Sequence, residues 1–480
     1  YLQIEGLIKN FSYHGEDISV LTRFYFQEKY IARKLYKLSY NQFEENTNFI
    51  DSINHYQRIH NIELNGEQTD AVLASQTKGV SVITGGPGTG KTTIVRCILE
   101  LFKQQNKRVL LCAPTGRAAK RLSESAGIEA KTIHRALEMN PTENDGIFHR
   151  NENNPLDADV IVVDEMSMVD VGLFYHLLKA VRSTTRIVMV GDKDQLPSVG
   201  AGNVLRDIID SKRLNVTQLV NIYRQGNDSL IITNAHLINS GKMPIIDNTS
   251  KDFFYESGKD LISNSETIID LVSTRLPNYF GYDPKDIQVL APMKAGPCGI
   301  DNLNKRLQMT LNPHFSGVEL VSDTLRFRVG DKIMQTQNNY EQKYEKYEAN
   351  GTIQEGTGVF NGDIGYITHI TPDTNEVTIR FDDGKVCKYA KTDLYQISLA
   401  YAITIHKSQG SEFDCVVIPL VPGAPIIITR NLLYTAITRA KKTVVLIGSK
   451  QILARMIHNN YTAKRYTLLK DFLIEEFSQD

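Results

Sequence analysis

Gly85–Thr92 reads GGPGTGKT and fits the pattern G-x-x-x-x-G-K-[ST] at every fixed position. An apolar run from Gly79 to Thr84 precedes it and reads as a buried strand, and Thr93–Phe102 after it reads as a helix. Strand, loop and helix in that order are the context in which such a loop holds phosphates. Its glycines and Pro87 leave the main chain room to wrap a triphosphate with its N–H groups pointing inward. On this reading Gly86, Pro87, Gly88, Thr89, Gly90, Lys91, Thr92 and Thr93 hold ATP. Lys91 bridges the outer phosphates, and the Thr92 hydroxyl ligates Mg²⁺.

A phosphate loop needs a carboxylate partner. The near-continuous apolar run Ala158–Val163 has the composition of a parallel strand buried on both faces, and it ends in Asp164, Glu165, Met166 and Ser167. A carboxylate at the C-terminal end of such a strand lies beside the phosphate loop of a neighbouring strand. Asp164 is the candidate to hold Mg²⁺, largely through water, and Glu165 to orient and deprotonate the attacking water. A further strand, Arg186–Val190, runs into Gly191–Gln195, which makes Gln195 a candidate sensor of the γ-phosphate.

Further segments extend the pattern along the chain. Asn65–Asp70 has the form of an adenine-reading motif, Ala113–Lys120 follows a second strand, and Lys131–Arg135 comes next. Asp164–Met168, Gly191–Asn203, Ile222–Gln225, Ile287–Lys294, Ala402–Gly410 and Leu432–Arg439 then appear in order. Taken together the chain resembles superfamily-one DNA helicases of the RecD-like, 5′-to-3′ branch, over roughly residues 60–475. Ala291–Ile300 and Phe360–Gly365 most resemble the stand-alone bacterial members.

The resemblance implies an α/β fold with two RecA-like P-loop motor domains, each on a parallel sheet, a small SH3-like β-barrel insertion and an N-terminal helical segment. It makes Gln68 the adenine contact, and it makes Arg224 and Arg439 the arginines that stabilise charge on the transferring phosphoryl group from across a cleft. It places Thr115, Arg117, Thr404, His406 and Ser408 against DNA, where hydroxyls and loop N–H groups hold backbone phosphates without reading sequence. On residue type alone His406 reads better as a core histidine, and only its motif context favours a role at DNA; Tyr401 and Tyr434 read as base-stacking aromatics or, at least as readily, core aromatics.

The domain reading is residues 1–60 as an N-terminal helical accessory segment, 61–224 as the first motor, 225–325 with 395–480 as the second, and 326–394 as the barrel insertion. Within the first motor, 137–155 breaks the α/β pattern, and Asn144–Gly146 signals a hairpin turn. In such relatives an insertion here forms a pin that meets the duplex; a plain surface loop is the alternative. Within the barrel, the polar stretch 335–358 reads as a flexible loop, and Val377–Phe381 with Lys385–Tyr389 as strands joined at Asp383–Gly384.

Composition fits this reading. A chain of 480 residues is long enough for three or four domains. A formal charge of −1 excludes a globally basic nucleic-acid binder, so DNA must be met in a local groove. The five cysteines show no C-x-x-C spacing, which argues against a zinc or iron–sulfur site and suits the cytoplasm. No apolar run is long enough to span a bilayer, and Tyr1 in place of Met suggests a start inside a longer protein. The leading expectation is a monomeric, ATP- and Mg²⁺-dependent motor on single-stranded DNA and its junctions with duplex. A regulatory NTP-binding switch and the motor portion of a conjugative relaxase remain as alternatives, although no relaxase His cluster or catalytic Tyr motif is visible.

Overall fold

The strand leading into the phosphate-binding loop, Val80–Gly85, is buried along its whole length, and its side chains divide between two cores. Val80 and Val82 join Ile161, Val163, Ile187 and Met189, while Ile83 joins Val160, Val162, Val188 and Val190. Alternate residues of a strand point to opposite faces. A strand apolar on both faces is therefore one covered on both, as in a parallel sheet. Each fully buried Val or Ile contributes roughly 1.5–3 kcal/mol relative to exposure.

The computed structural model describes residues 5–13, 15–41, 43, 49–140, 147–221, 229–313, 318–322, 325–347, 351–461 and 465–478. The chain forms two compact units, one of residues 1–114, 118–224 and 463–480, the other of residues 115–117 and 225–462.

Among the described residues the first unit holds a six-stranded parallel sheet in the order Asn215–Leu219, Val80–Gly85, Arg186–Gly191, Val160–Val163, Val109–Ala113, Ala130–Thr132. The phosphate loop, the Gln195 loop and the Asp164–Glu165 pair thus leave the C-terminal ends of three adjacent strands, the edge where α/β sheets bind ligands. Helix Lys91–Gln104 follows the loop and buries Ile94, Ile98, Leu101 and Phe102, a stripe at helical spacing.

The N-terminal segment is not helical throughout. It opens with an antiparallel hairpin, Ile8–Tyr13 against Glu16–Leu21, before helices Thr22–Ser39 and Phe49–His60. Phe11, Tyr13, Ile18 and Val20 pack on the core at a spacing of two, which is the period of a strand. Helix Thr22–Ser39 buries Ile31, Leu35 and Leu38 in the same cluster as Leu469, Phe472 and Leu473 of helix Leu469–Glu476. Residues 463–480, read from sequence as the end of the second motor, therefore group with the first unit. In the 137–155 segment, Met139–Asn140 pairs antiparallel with Ile147–Phe148, and the Phe148 ring packs 4.4 Å from that of His176. The expected turn at 144–146 lies outside the described residues.

In the second unit, again among the described residues, a five-stranded parallel sheet runs in the order Phe253–Ser257, Ala440–Gly448, Phe413–Pro419, Ile287–Ala291, Ala402–Thr404. Beside it in sequence lies a seven-stranded antiparallel sheet. There, Glu376–Phe381 pairs with Lys385–Tyr389, and Gly384 turns between them at φ 86°.

The stretch 335–358 is not a flexible loop. Asn339–Tyr347 and Ile353–Val359 are paired strands of that sheet. Tyr340, Gln342, Tyr344 and Lys346 are half-buried while Glu341, Lys343 and Glu345 face water. The strand period is present, but its inward face is aromatic and polar, so hydropathy hides it. Lys385 sits 4.9 Å from the Tyr344 ring centroid, and Tyr340 meets Phe360 edge-on at 5.5 Å. Buried Asp331 ties this region together, accepting from Gln308 Nε2 at 2.6 Å, Asn312 Nδ2 at 2.7 Å, the Arg328 N–H at 2.7 Å and the Tyr401 hydroxyl at 3.0 Å.

Candidate nucleotide and nucleic-acid site

The phosphate loop is shaped by backbone that only glycine adopts readily. Gly88 has φ 74° and Gly90 φ 85°. A Cβ on Gly90 would stand 2.5 Å from Gln68 Nε2, and one on Gly85 2.7 Å from Thr89 Oγ1. Thr89 Oγ1 donates to the Gly86 carbonyl at 2.9 Å and fixes the turn from inside. Lys91 Nζ donates to the carbonyls of Gly85 and Gly86 at 2.6 and 2.8 Å, so the ammonium is folded over the loop. Thr92 is exposed beside it at the start of the helix, and Thr93 is half-buried.

Gln68 is buried and belongs to a capping box. Its N–H donates to Asn65 Oδ1 at 2.8 Å, and its Oε1 accepts from the Asn65 N–H at 3.1 Å. Its Nε2 donates to the Thr89 carbonyl at 3.0 Å. The amide expected to meet adenine is thus anchored to the phosphate loop itself. The neighbouring Glu67 accepts from the Val220 N–H at 2.9 Å, beyond the end of strand Asn215–Leu219.

Asp164 and Glu165 directly follow strand Val160–Val163, and Glu165 is held in an unusual way. Its backbone is left-handed, φ 54° and ψ 41°, a conformation rare outside glycine and frequent at active sites. Its N–H donates to Asp164 Oδ1 at 2.8 Å, and its side chain is buried with Oε1 accepting from Arg121 Nη2 at 2.7 Å. Burial, and then the Glu165 carboxylate, push the Asp164 carboxyl up to about 6, with Arg121 opposing the rise. Sequence reasoning missed Arg121. Its one signal was its place a helical turn beyond Arg117 on the same helix.

Gln195 is buried. Its Nε2 donates to Asp192 Oδ2 at 3.3 Å, and its Oε1 has no hydrogen-bond partner among the described residues. An unsatisfied buried amide oxygen costs about 1–3 kcal/mol and marks a place where a ligand or water completes the site.

These residues fit a Mg²⁺ nucleotide. The loop is open only because Gly85 and Gly90 lack a Cβ. A carboxyl whose proton affinity is raised by burial and by an adjacent carboxylate suits a divalent cation, and the available donors, Thr92 Oγ1 and Asp164, are hard oxygens.

In the second unit Arg439 is buried, with Nη1 donating to the Ser411 carbonyl at 3.3 Å and Nη2 to Thr438 Oγ1 at 3.4 Å. Arg224 lies outside the described residues. Thr404 caps the turn Ile405–Ser408, its Oγ1 accepting from the Lys407 N–H at 3.4 Å, and His406 is exposed on that turn, not a core histidine. Ser408 differs from expectation. It is fully buried and donates to the Ile405 carbonyl at 2.7 Å, so its hydroxyl closes the turn and does not meet a phosphate. Tyr401 and Tyr434 are buried, which makes them core aromatics and not stacking platforms. Thr115 is half-buried and groups with the second unit, as does Arg117. There Arg117 Nη1 donates to Ser411 Oγ at 2.7 Å and Nη2 faces Asp382 at 3.5 Å.

Three family profiles match the chain. The AAA domain matches residues 68–201, the SH3 domain of ATP-dependent RecD-like DNA helicases residues 303–381, and the UvrD-like helicase C-terminal domain residues 399–447. The ATP-dependent RecD2 DNA helicase of Deinococcus radiodurans is 34% identical over 77% of this chain, which spans 47% of that protein's length. The RecBCD enzyme subunit RecD of Mycolicibacterium smegmatis is 32% identical, covering 80% of this chain and 71% of that one. Among solved structures, Bacteroides Pif1 helicase with ADP-AlF3 and ssDNA is 18% identical at a TM-score of 0.49, over 82% of this chain and 94% of that one.

Proposed function

The chain belongs to the RecD-like helicase family, and from that membership we propose that it is an ATP-driven motor that moves 5′ to 3′ along single-stranded DNA and opens duplex at single-strand junctions. The observation that carries the chemistry is the pair Asp164–Glu165, with Glu165 in a left-handed backbone and gripped by Arg121 at the strand end beside the phosphate loop. Repair or recombination is the setting this reading favours, with the chain acting as a monomer and closest to the stand-alone members.

Each residue then has a task. The loop N–H groups and Lys91 bind the phosphates, and Gln68 braces the loop through Thr89. Thr92 and Asp164 hold Mg²⁺, which when bound neutralises charge on the phosphate oxygens. Glu165 orients the attacking water and takes its proton at a carboxylate oxygen. Gln195 accepts from that water at its amide oxygen or donates an Nε2 proton to the γ-phosphate, and Arg224 and Arg439 offset the charge that develops on transfer. Thr115, Arg117, Thr404 and His406 meet the DNA backbone, which gives binding without base preference.

ATP turnover with and without single-stranded DNA, paired with strand separation on substrates bearing only a 5′ or only a 3′ tail, tests this. Turnover should rise with DNA, and only the 5′-tailed duplex should open. Stimulation without strand separation on either substrate would make the chain a DNA-dependent ATPase switch, and opening from the 3′ tail would reverse the polarity.

A further inference from the structure

The loop that follows Gln195 is held by a residue from the other end of the chain. Arg465 Nη1 donates to the Gly202 carbonyl at 2.6 Å, the Gly200 carbonyl at 2.8 Å and Ser198 Oγ at 3.3 Å, and its Nη2 donates to the Ser198 carbonyl at 2.5 Å. One planar guanidinium thus takes three backbone carbonyls of a five-residue stretch, a task for a rigid fork and not for an ammonium. The carbonyl between them, that of Ala201, accepts from the Val171 N–H at 3.0 Å. Val199 is 88% exposed, and within the loop Ser198 Oγ donates to the Gly200 carbonyl at 3.3 Å. Its glycines let it close on the neighbouring helix. A Cβ on Gly200 would lie 2.1 Å from Asp170 Oδ2, and one on Gly202, at φ 84°, would lie 2.2 Å from Val171 Cγ2.

Arg465 is itself anchored. Thr467 Oγ1 lies 2.7 Å from Glu28 Oε1 and 2.8 Å from Asp207 Oδ2, and the Leu468 N–H donates to Glu28 Oε2 at 2.9 Å. Asp207 sits on helix Val204–Ser211, which begins where the loop ends. Only Leu196 and Pro197 separate the clamped stretch from Gln195. The chain passes from the second unit into the first at residues 462–463, immediately before Arg465.

We propose that Arg465 is a positioning residue for nucleotide sensing: its guanidinium fixes the 198–202 loop and through it the aim of the Gln195 amide, so that the C-terminal strap sets how the site responds to the γ-phosphate. This rests on the reading of Gln195 as the sensor. The strap supplies no atom to the reaction and acts through the loop alone.

The test compares Arg465→Ala, Arg465→Lys, Gln195→Ala and the double variant Arg465→Ala/Gln195→Ala in three measurements: hydrogen exchange over 195–203 in nucleotide-free protein, affinity for ATP, and DNA-stimulated kcat. Both Arg465 variants should exchange faster over that loop, hold ATP with little change, and lose about tenfold in kcat, a KM-against-kcat split that loss of overall stability does not produce. The double variant should lose no more than Gln195→Ala alone, because residues acting in series are non-additive. Unchanged exchange and turnover in Arg465→Lys overturns the proposal, as does a fully additive double variant; both leave the sensor reading standing if Gln195→Ala is slow. Normal turnover in Gln195→Ala removes the sensor reading, and the proposal with it.

Discussion

Arg121 Nη2 stands 2.7 Å from Oε1 of Glu165, so the candidate general base is paired with a cation. The pair joins helix Gly116–Ala126 to the end of strand Val160–Val163. With Asp164 adjacent, Arg121 also opposes the rise of the Asp164 carboxyl, and its hydrogen bond aims the Glu165 side chain.

Arg121→Ala should therefore slow ATP turnover while leaving ATP affinity nearly intact. Loss of one charge-assisted partner costs about 1.5–3 kcal/mol, which as a barrier is roughly 10- to 150-fold in kcat. Arg121→Lys should recover part of it. Steady-state turnover and equilibrium binding of a fluorescent ATP analogue measure both quantities, and equal turnover in wild type and Arg121→Ala would remove the positioning role.

Lys91→Ala should abolish turnover by removing charge stabilisation from the outer phosphates. Glu165→Gln should keep nucleotide binding and stop hydrolysis, because an amide cannot take the water's proton. Binding and hydrolysis measured on the same samples separate the two; a Glu165→Gln protein that hydrolyses ATP normally would move the base elsewhere.

Gly90→Ala should lose ATP binding with the fold retained. The left-handed backbone costs a non-glycine residue roughly 1–2 kcal/mol, and the new methyl would collide with Gln68 Nε2 at 2.5 Å. Calorimetric titration with ATP and the circular dichroism spectrum decide it. Unaltered affinity would mean that the loop relaxes without Gln68.

The Thr467 hydroxyl has one proton and lies within hydrogen-bonding distance of two carboxylates, so one of these must carry its own. Burial pushes Asp207 up to about 7, with Glu28 and Asp210 adding to it and Thr467 opposing. A raised folded value means stability fully present below the ordinary 3.8 and lost as pH climbs from there to about 7, at up to about 1.4 kcal/mol per pH unit. Asp207→Asn should flatten that slope. Urea midpoints measured between pH 3.8 and about 7 test it, and identical slopes in the two proteins would place the proton elsewhere.

Shortening the 137–155 hairpin should leave DNA-stimulated ATPase largely intact and reduce strand separation, if the hairpin meets the duplex. Phe148 at its base packs against His176 and should be kept to preserve the core. Unchanged unwinding would make the segment a plain surface loop.

The legible parts of this chain were those in which one physical requirement fixes residue type and spacing together. The phosphate loop needs glycine where φ is positive, and Gly88 and Gly90 supply it. The buried parallel strands need apolar residues on both faces, and Val160–Val163 shows that without interruption. Long-range polar partnerships left no such trace. Arg121 and Arg465 look like any surface arginine until the fold brings them to Glu165 and to the 198–202 loop. Ser408 was misread for the converse reason, since a hydroxyl's type does not reveal that the fold buries it. The strand Asn339–Tyr347 escaped because its inward face is built of Tyr, Gln and Lys, so its alternation carries no hydropathy signal.

The return of residues 463–480 to the first unit has a consequence for biosynthesis. Leu469, Phe472 and Leu473 fill the same core as Ile31 and Leu35, yet the ribosome makes them only after all of the second unit. At roughly 5–20 residues per second, the nascent first unit waits tens of seconds with one face of helix Thr22–Ser39 uncovered. A chain truncated before Ala463 would keep its phosphate loop but lack the helix whose Leu469, Phe472 and Leu473 share a core with Ile31 and Leu35.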